Sequence, residues 1–148
     1  MNKTTNIFKL MIKDHCKIDN LLNVLEEKNN ENLDSMNTAF KKFEWELEKH
    51  IFTEEKAIFT SYSPENTSEG YKMLPELTKQ HNFILNKLNN WRRDIRNKNM
   101  ISDIYSFKIY LIRHKNFEEE KVYPMLDQSL TEEDKRFIKS KIYEIVQK

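Results

Sequence analysis

Six side chains of this sequence have the types and the spacing for metal chemistry. His15, His50, His81 and His114 are all of its histidines. Each sits among apolar residues spaced alternately three and four apart, the spacing that keeps side chains on the inward seam of a bundle helix. A seam takes two of every seven positions, so four independent histidines would all fall on one about 0.7% of the time. A lone seam histidine is ordinarily a core residue hydrogen-bonded to a neighbour; four together point to a shared task. Glu54 and Glu118 follow His50 and His114 by four residues, which puts each carboxylate on the same helix face one turn further along. Burying an unpaired carboxylate is costly, so two of them beside four imidazoles require something cationic between them.

Ligand type and number narrow the cation. Imidazole with carboxylate suits iron, manganese or zinc, and a single cysteine, Cys16, argues against a thiolate zinc site or an iron–sulfur cluster. Two ions about 3.5–4 Å apart could share both carboxylates as bridges, each taking two histidines as well. A bridging oxide or hydroxide would add one bond to each ion, leaving one place on each open if the ions are octahedral iron. Helical phase favours Glu54 over Glu55 and Glu118 over Glu119, and places Glu120 on the solvated face.

Four seams must position these groups. The first runs Phe8, Met11, His15, Ile18, Leu22, Leu25, with Thr4 or Thr5 available as an N-cap. The second runs Met36, Phe40, Phe43, Leu47, His50, Glu54, Ala57 and stops at SYSPENTSEG. The third runs Leu74, Leu77, His81, Ile84, Leu88, Trp91, Ile95, and Gly70 with Pro75 suggests that it starts between Gly70 and Leu74. The fourth runs Ile104, Phe107, Leu111, His114, Glu118, Val122, Met125, with Ser102 as N-cap and Pro124 near its end. A shorter fifth helix is expected after Thr131, carrying Phe137, Ile138, Ile142 and Ile145 inward.

One glycine and three prolines in 148 residues cannot supply the turns of a sandwich or barrel, nor a glycine-rich phosphate loop. The expected architecture is all-α: an antiparallel up-down four-helix bundle with a short C-terminal fifth helix, as a single domain over residues 1–148. The chain also repeats itself. HCKIDNLLNVL at His15 aligns with HNFILNKLNNW at His81, and HIFTEEKAIF at His50 with HKNFEEEKVY at His114, at offsets of 66 and 64 residues. Two helical hairpins of one design would pack with pseudo-twofold symmetry, each bringing two histidines and one glutamate.

A formal charge of +1, from 25 basic and 24 acidic residues, lacks the basic excess of a nucleic-acid binder. The N-terminal stretch is too short in apolar residues for a signal peptide or membrane span, so no membrane partner and a cytoplasmic location are expected. Cys16 points about 100° away from the seam and reads as packing, as do Trp45 and Trp91. Tyr105, Tyr110 and Tyr123 could supply a phenolate or redox partner but have the spacing of core residues. Asp19, one turn after His15, reads as a surface salt bridge.

The pattern of His15, HIFTEE from 50, KQHNFIL around His81 and HKNFEEEKVYP from 114 resembles the hemerythrin-like (HHE cation-binding) domain family over roughly residues 8–126. The resemblance implies a four-helix bundle with two non-haem iron ions, bridged by Glu54 and Glu118, with His15 and His50 on one ion and His81 and His114 on the other. Oxygen-carrying members have a further histidine one turn before the one matching His81, and that position here is Leu77. The four-histidine, two-glutamate set is more similar to the di-iron domain of repair-of-iron-centres proteins. That likeness implies dioxygen, nitric oxide or peroxide as ligand, a role in oxidative or nitrosative stress, and a redox or iron-acceptor protein as partner. A non-enzymatic carrier, sensor or store of oxygen or iron is the alternative.

Overall fold

In a computed structural model the chain is described over residues 6–61 and 69–147, and every element among these residues is helical. Helix α1 spans Asn6–Lys28 and α2 spans Leu33–Thr53. Asn32 starts α2, its side chain accepting the Ser35 N–H at 2.8 Å and so satisfying one donor of the first turn. Helix α2 runs on through a wide π turn, Glu54–Ile58, into a tight 3-10 turn, Phe59–Ser61. Helix α3 covers Glu69–Arg96 and α4 covers Ile104–Phe117. A second π turn, Glu118–Val122, leads to α5, Tyr123–Ser129, and then α6, Glu132–Gln147. Thr131 and Asp134 cap α6 reciprocally, through backbone N–H to side-chain bonds of 3.0 and 3.2 Å. The result is a helical bundle.

The four seams are buried apart from Leu74, Ile95 and Met125, which are partly buried, and they sort into two apolar clusters. One holds Ile18, Leu22, Phe43, Leu47, Ile84, Leu88, Trp91, Phe107 and Leu111; the other holds Phe8, Met11, Ala57, Leu77, Val122 and Leu126 together with Ile138 and Ile142 of α6. Every histidine falls at the junction. His15 lies between Met11 and Ile18, His81 between Leu77 and Ile84, His114 between Leu111 and Val122, and His50 between Leu47 and Ala57. The polar layer is therefore walled by hydrocarbon at both ends of the bundle.

Several local expectations are corrected. Ser102 does not cap α4: Asp103 precedes the helix in a left-handed conformation (φ 63°), and the Ser102 carbonyl accepts the Trp91 indole N–H at 3.1 Å. Helix α3 starts at Glu69, before Gly70, so Pro75 lies inside it and removes one ladder donor. Pro124 opens α5 instead of closing α4, because a first turn needs no N–H there. Phe137 is 54% exposed and Trp45 61% exposed, and Cys16 is exposed, so none of the three packs in the core. Thr4 and Thr5 and the side chain of Ile145 lie outside the described residues.

Trp91 anchors the first cluster, edge-on to both Phe40 and Phe107. Replacing it with alanine is expected to cost about 3–5 kcal/mol in urea unfolding through the cavity left behind. Metal content should not change, since the damage is two turns or more from the nearest histidine on α3.

Candidate metal centre

The helices bring all six sequence-chosen side chains together, with Glu54, Glu118 and His81 wholly buried and His15, His50 and His114 nearly so. The Nε2 edge of each ring faces the carboxylates. His15 Nε2 lies 2.9 Å from Glu118 Oε1 and His114 Nε2 lies 3.4 Å from the same oxygen. His50 Nε2 is 3.5 Å from Glu54 Oε2, and His81 Nε2 is 3.1 Å from Glu54 Oε1 and 3.6 Å from Glu118 Oε2. The donors form two sets, His15–His50–Glu54–Glu118 and His81–His114–Glu54–Glu118, each with its ligand atoms within 4.8 Å of one another. Both glutamates belong to both sets.

The opposite edge of every ring is held from outside. His15 Nδ1 donates to Glu119 at 2.7 Å, His81 Nδ1 to Glu55 at 2.8 Å, His114 Nδ1 to the Gln80 side-chain oxygen at 2.7 Å, and His50 Nδ1 faces Asp14 at 3.4 Å. A carboxylate or amide oxygen accepts, so each Nδ1 can donate outward, and Nε2 is the nitrogen turned to the interior, where a cation would take its lone pair. The acidic pairs thus divide their work: one glutamate of each enters the centre and the next orients a histidine from the other hairpin. Helical phase favours Glu54 and Glu118 for the centre and assigns no such orienting role to Glu55 and Glu119. Removing one such outer partner, as in Glu119→Ala, is expected to lower metal affinity about 10–100-fold, measurable by competition with a chelator.

Tyr123 is the functional candidate that spacing undervalued. Its buried hydroxyl donates to Glu54 Oε2 at 2.6 Å and lies 3.2 Å from Glu118 Oε1. The π turn explains its arrival. The Tyr123 N–H bonds back to the Glu118 carbonyl, five residues earlier, and that wider turn brings the fifth residue round to the face of the first. Tyr105 is exposed, and Tyr110 is half-buried beside Phe83, away from the centre. Asp19 pairs with Lys115 at 2.8 Å, as its spacing suggested.

The electrostatics show what these residues do without a cation. Burial disfavours charge on His50, but Glu54 and the bonds from Asp14 and Glu118 outweigh it and hold its pKa well above 6.5. Burial likewise opposes a charged His81, yet contacts with Glu118, Glu54 and Glu55 push it up to about 11. For His114 burial prevails and holds the ring below its ordinary value. Glu118 resists burial through His114, His15, His50 and His81, which keep its carboxyl well below the usual range. Protons on His50 and His81 therefore stand in for part of the positive charge, and a bound cation would displace them.

Even so, Glu54 Oε1, His81 Nε2 and Glu118 Oε2 find no hydrogen-bond partner among the described residues. Two of these, Glu54 Oε1 and His81 Nε2, are only 3.1 Å apart yet not aligned on each other. Unpartnered buried polar atoms are rare and costly. Their chemistry, imidazole nitrogen and carboxylate oxygen, fits a first-row metal ion.

Fold and site together define a helical-bundle protein whose interior is built to hold cations. The hemerythrin HHE cation-binding domain model matches residues 6–126, and the chain belongs to that family. Searches of the curated proteins and of the solved structures gave no match.

Proposed function

We propose that the protein is a non-haem di-iron protein that binds a small ligand, dioxygen, nitric oxide or a peroxide, and acts in oxidative or nitrosative stress or in the repair of iron centres. His15 and His50 would hold one ion and His81 and His114 the other, with Glu54 and Glu118, which belong to both donor sets, serving the two. The observation that carries this reading is that, among the described residues, three of the four buried side-chain atoms without a hydrogen-bond partner lie in the six-residue cluster, the fourth being Asp127 Oδ1, which is ion-paired with Lys135. An iron pair supplies redox change and an open coordination position. The chain's own part is to hold, orient and exclude. Glu119, Glu55, Gln80 and Asp14 fix the rings, and the wall of Leu47, Leu77, Ile84, Leu88, Phe107 and Leu111 keeps bulk water out.

Ligand size is limited by the approach. A cleft of about 10 Å³ touches His15, His50 and His114 and is bordered by Asp19 and Lys115. That volume matches about one water-sized molecule, the scale of a diatomic ligand. A far larger groove, about 580 Å³ beside Trp45, Phe52 and Lys141, contains none of the six side chains. The antiparallel up-down order of the helices, a cytoplasmic location and a protein redox or iron-acceptor partner complete the proposal. Among the described residues no helix is long and apolar enough to cross a membrane.

The test is to load the protein with iron and record its optical spectrum without air, in air, with nitric oxide and with hydrogen peroxide. Spectral change with at least one of them, or consumption of it, is expected. An iron-loaded protein inert to all would refute the small-ligand reading, and a reversible oxygenated form without product would favour a carrier or sensor.

A further inference from the structure

The two hairpins present equivalent histidines and glutamates, and one difference between them lies next to the metal centre. Glu54 and Glu118 each open a π turn, and the residue whose N–H closes that turn is Phe59 in the first hairpin and Tyr123 in the second. Both rings lie parallel to a histidine of the other hairpin: Phe59 on His81 with centroids 6.2 Å apart and 12° between planes, Tyr123 on His15 at 5.8 Å and 15°. The two positions are thus equivalent in backbone and in stacking, and they differ by one hydroxyl.

That hydroxyl is placed as a ligand would be. Tyr123 Oη lies 3.4 Å from His15 Nε2, 3.4 Å from His50 Nε2, 2.6 Å from Glu54 Oε2 and 3.2 Å from Glu118 Oε1. These four atoms come from the four residues of one donor set. With metal–donor bonds of about 2.1 Å, neighbouring donors on a six-coordinate ion stand about 3 Å apart, and one vertex has four such neighbours. A hydroxyl serving only to position Glu54 would need the 2.6 Å contact and not the other three.

We propose that Tyr123 is a fifth protein ligand to the ion held by His15 and His50, bound through its phenolate oxygen when that ion is ferric. The inference rests on the reading that the six side chains hold two iron ions. In the binding step an iron–oxygen bond forms, the O–H bond breaks, and the proton leaves to solvent; no electron moves. Phe59 offers no oxygen in the other half, so the two ions are unlike.

The experiment compares wild type with Tyr123→Phe, each loaded anaerobically with ferrous iron and then oxidised with dioxygen. Iron per chain, visible absorption and resonance Raman scattering are recorded. The wild type should hold two irons and show a phenolate-to-iron(III) charge-transfer band with enhanced tyrosine ring modes; Tyr123→Phe should lose both band and modes while still binding iron. A wild type with two irons but no phenolate modes, or modes that persist in Tyr123→Phe, overturns this inference and leaves the di-iron reading standing. A wild type that takes up no iron overturns both. Should the variant fail to fold, the wild-type Raman spectrum still decides: absent ring modes refute the ligand, and present ones support Tyr123, since among the described tyrosines no other hydroxyl approaches the donor set.

Discussion

Glu54→Ala should strip the protein of metal and destabilise it in one step. Glu54 is wholly buried, lies within 3.5 Å of His50 and 3.1 Å of His81, and so touches both halves of the centre. Its loss removes a donor from both ions, where loss of an outer partner disturbs one ring. The expected fall in affinity exceeds the roughly 100-fold at the upper end for an outer partner. The metal-free variant suffers as well, because the raised pKa values of His50 and His81 depend on Glu54. Breaking such a buried ion pair from one side costs about 3–5 kcal/mol. Elemental analysis after dialysis and urea unfolding of both metal-free proteins check the two parts. Cys16→Ala, on an exposed face, should leave metal content unchanged. Equal metal in both variants would contradict the placement of Glu54.

The second large effect is metal removal. A ligand bound only to the folded state stabilises it by RT ln(1 + [L]/Kd), about 4 kcal/mol when free metal exceeds Kd a thousandfold. For a chain of this length about 1 kcal/mol moves the melting temperature by 2–4 °C, so chelation should lower it by roughly 10 °C. The drop should be partial, because ring protons on His50 and His81 take over part of the charge balance once the metal is gone. A loss of all helical signal at room temperature would show that the hydrocarbon clusters alone cannot hold the bundle. An unchanged melting temperature would show that the buried carboxylates are not waiting for a cation.

Sequence periodicity carried most of the architecture, for a definite reason. A bundle helix repeats its inward face every three or four residues, so the seams through Phe8–Leu25, Met36–Ala57, Leu74–Ile95 and Ile104–Met125 could be read directly, and the histidines with them. Glu54 and Glu118 were legible for the same reason, being one regular turn past a histidine. What escaped was set by irregular backbone or by partners on other helices. Tyr123 is five residues past Glu118, which a regular helix would turn away from the centre; only the π turn returns it. Glu55 and Glu119 reach histidines of the opposite hairpin, a pairing that no single-helix pattern encodes. Ser102 lost the α4 cap because the Trp91 indole takes its carbonyl and the left-handed Asp103 shapes the turn. Phe137 was expected inward from the apolar pattern of its helix, and Trp45 and Cys16 were read as packing, yet all three are exposed.

Anomalous diffraction from crystals of the iron-loaded protein tests the central claim most directly. The expected map has two peaks about 3.5–4 Å apart inside the bundle, one against His15 and His50, the other against His81 and His114, with Glu54 and Glu118 reaching both. A single peak, or peaks outside this cluster with any of the four rings turned away, would contradict it.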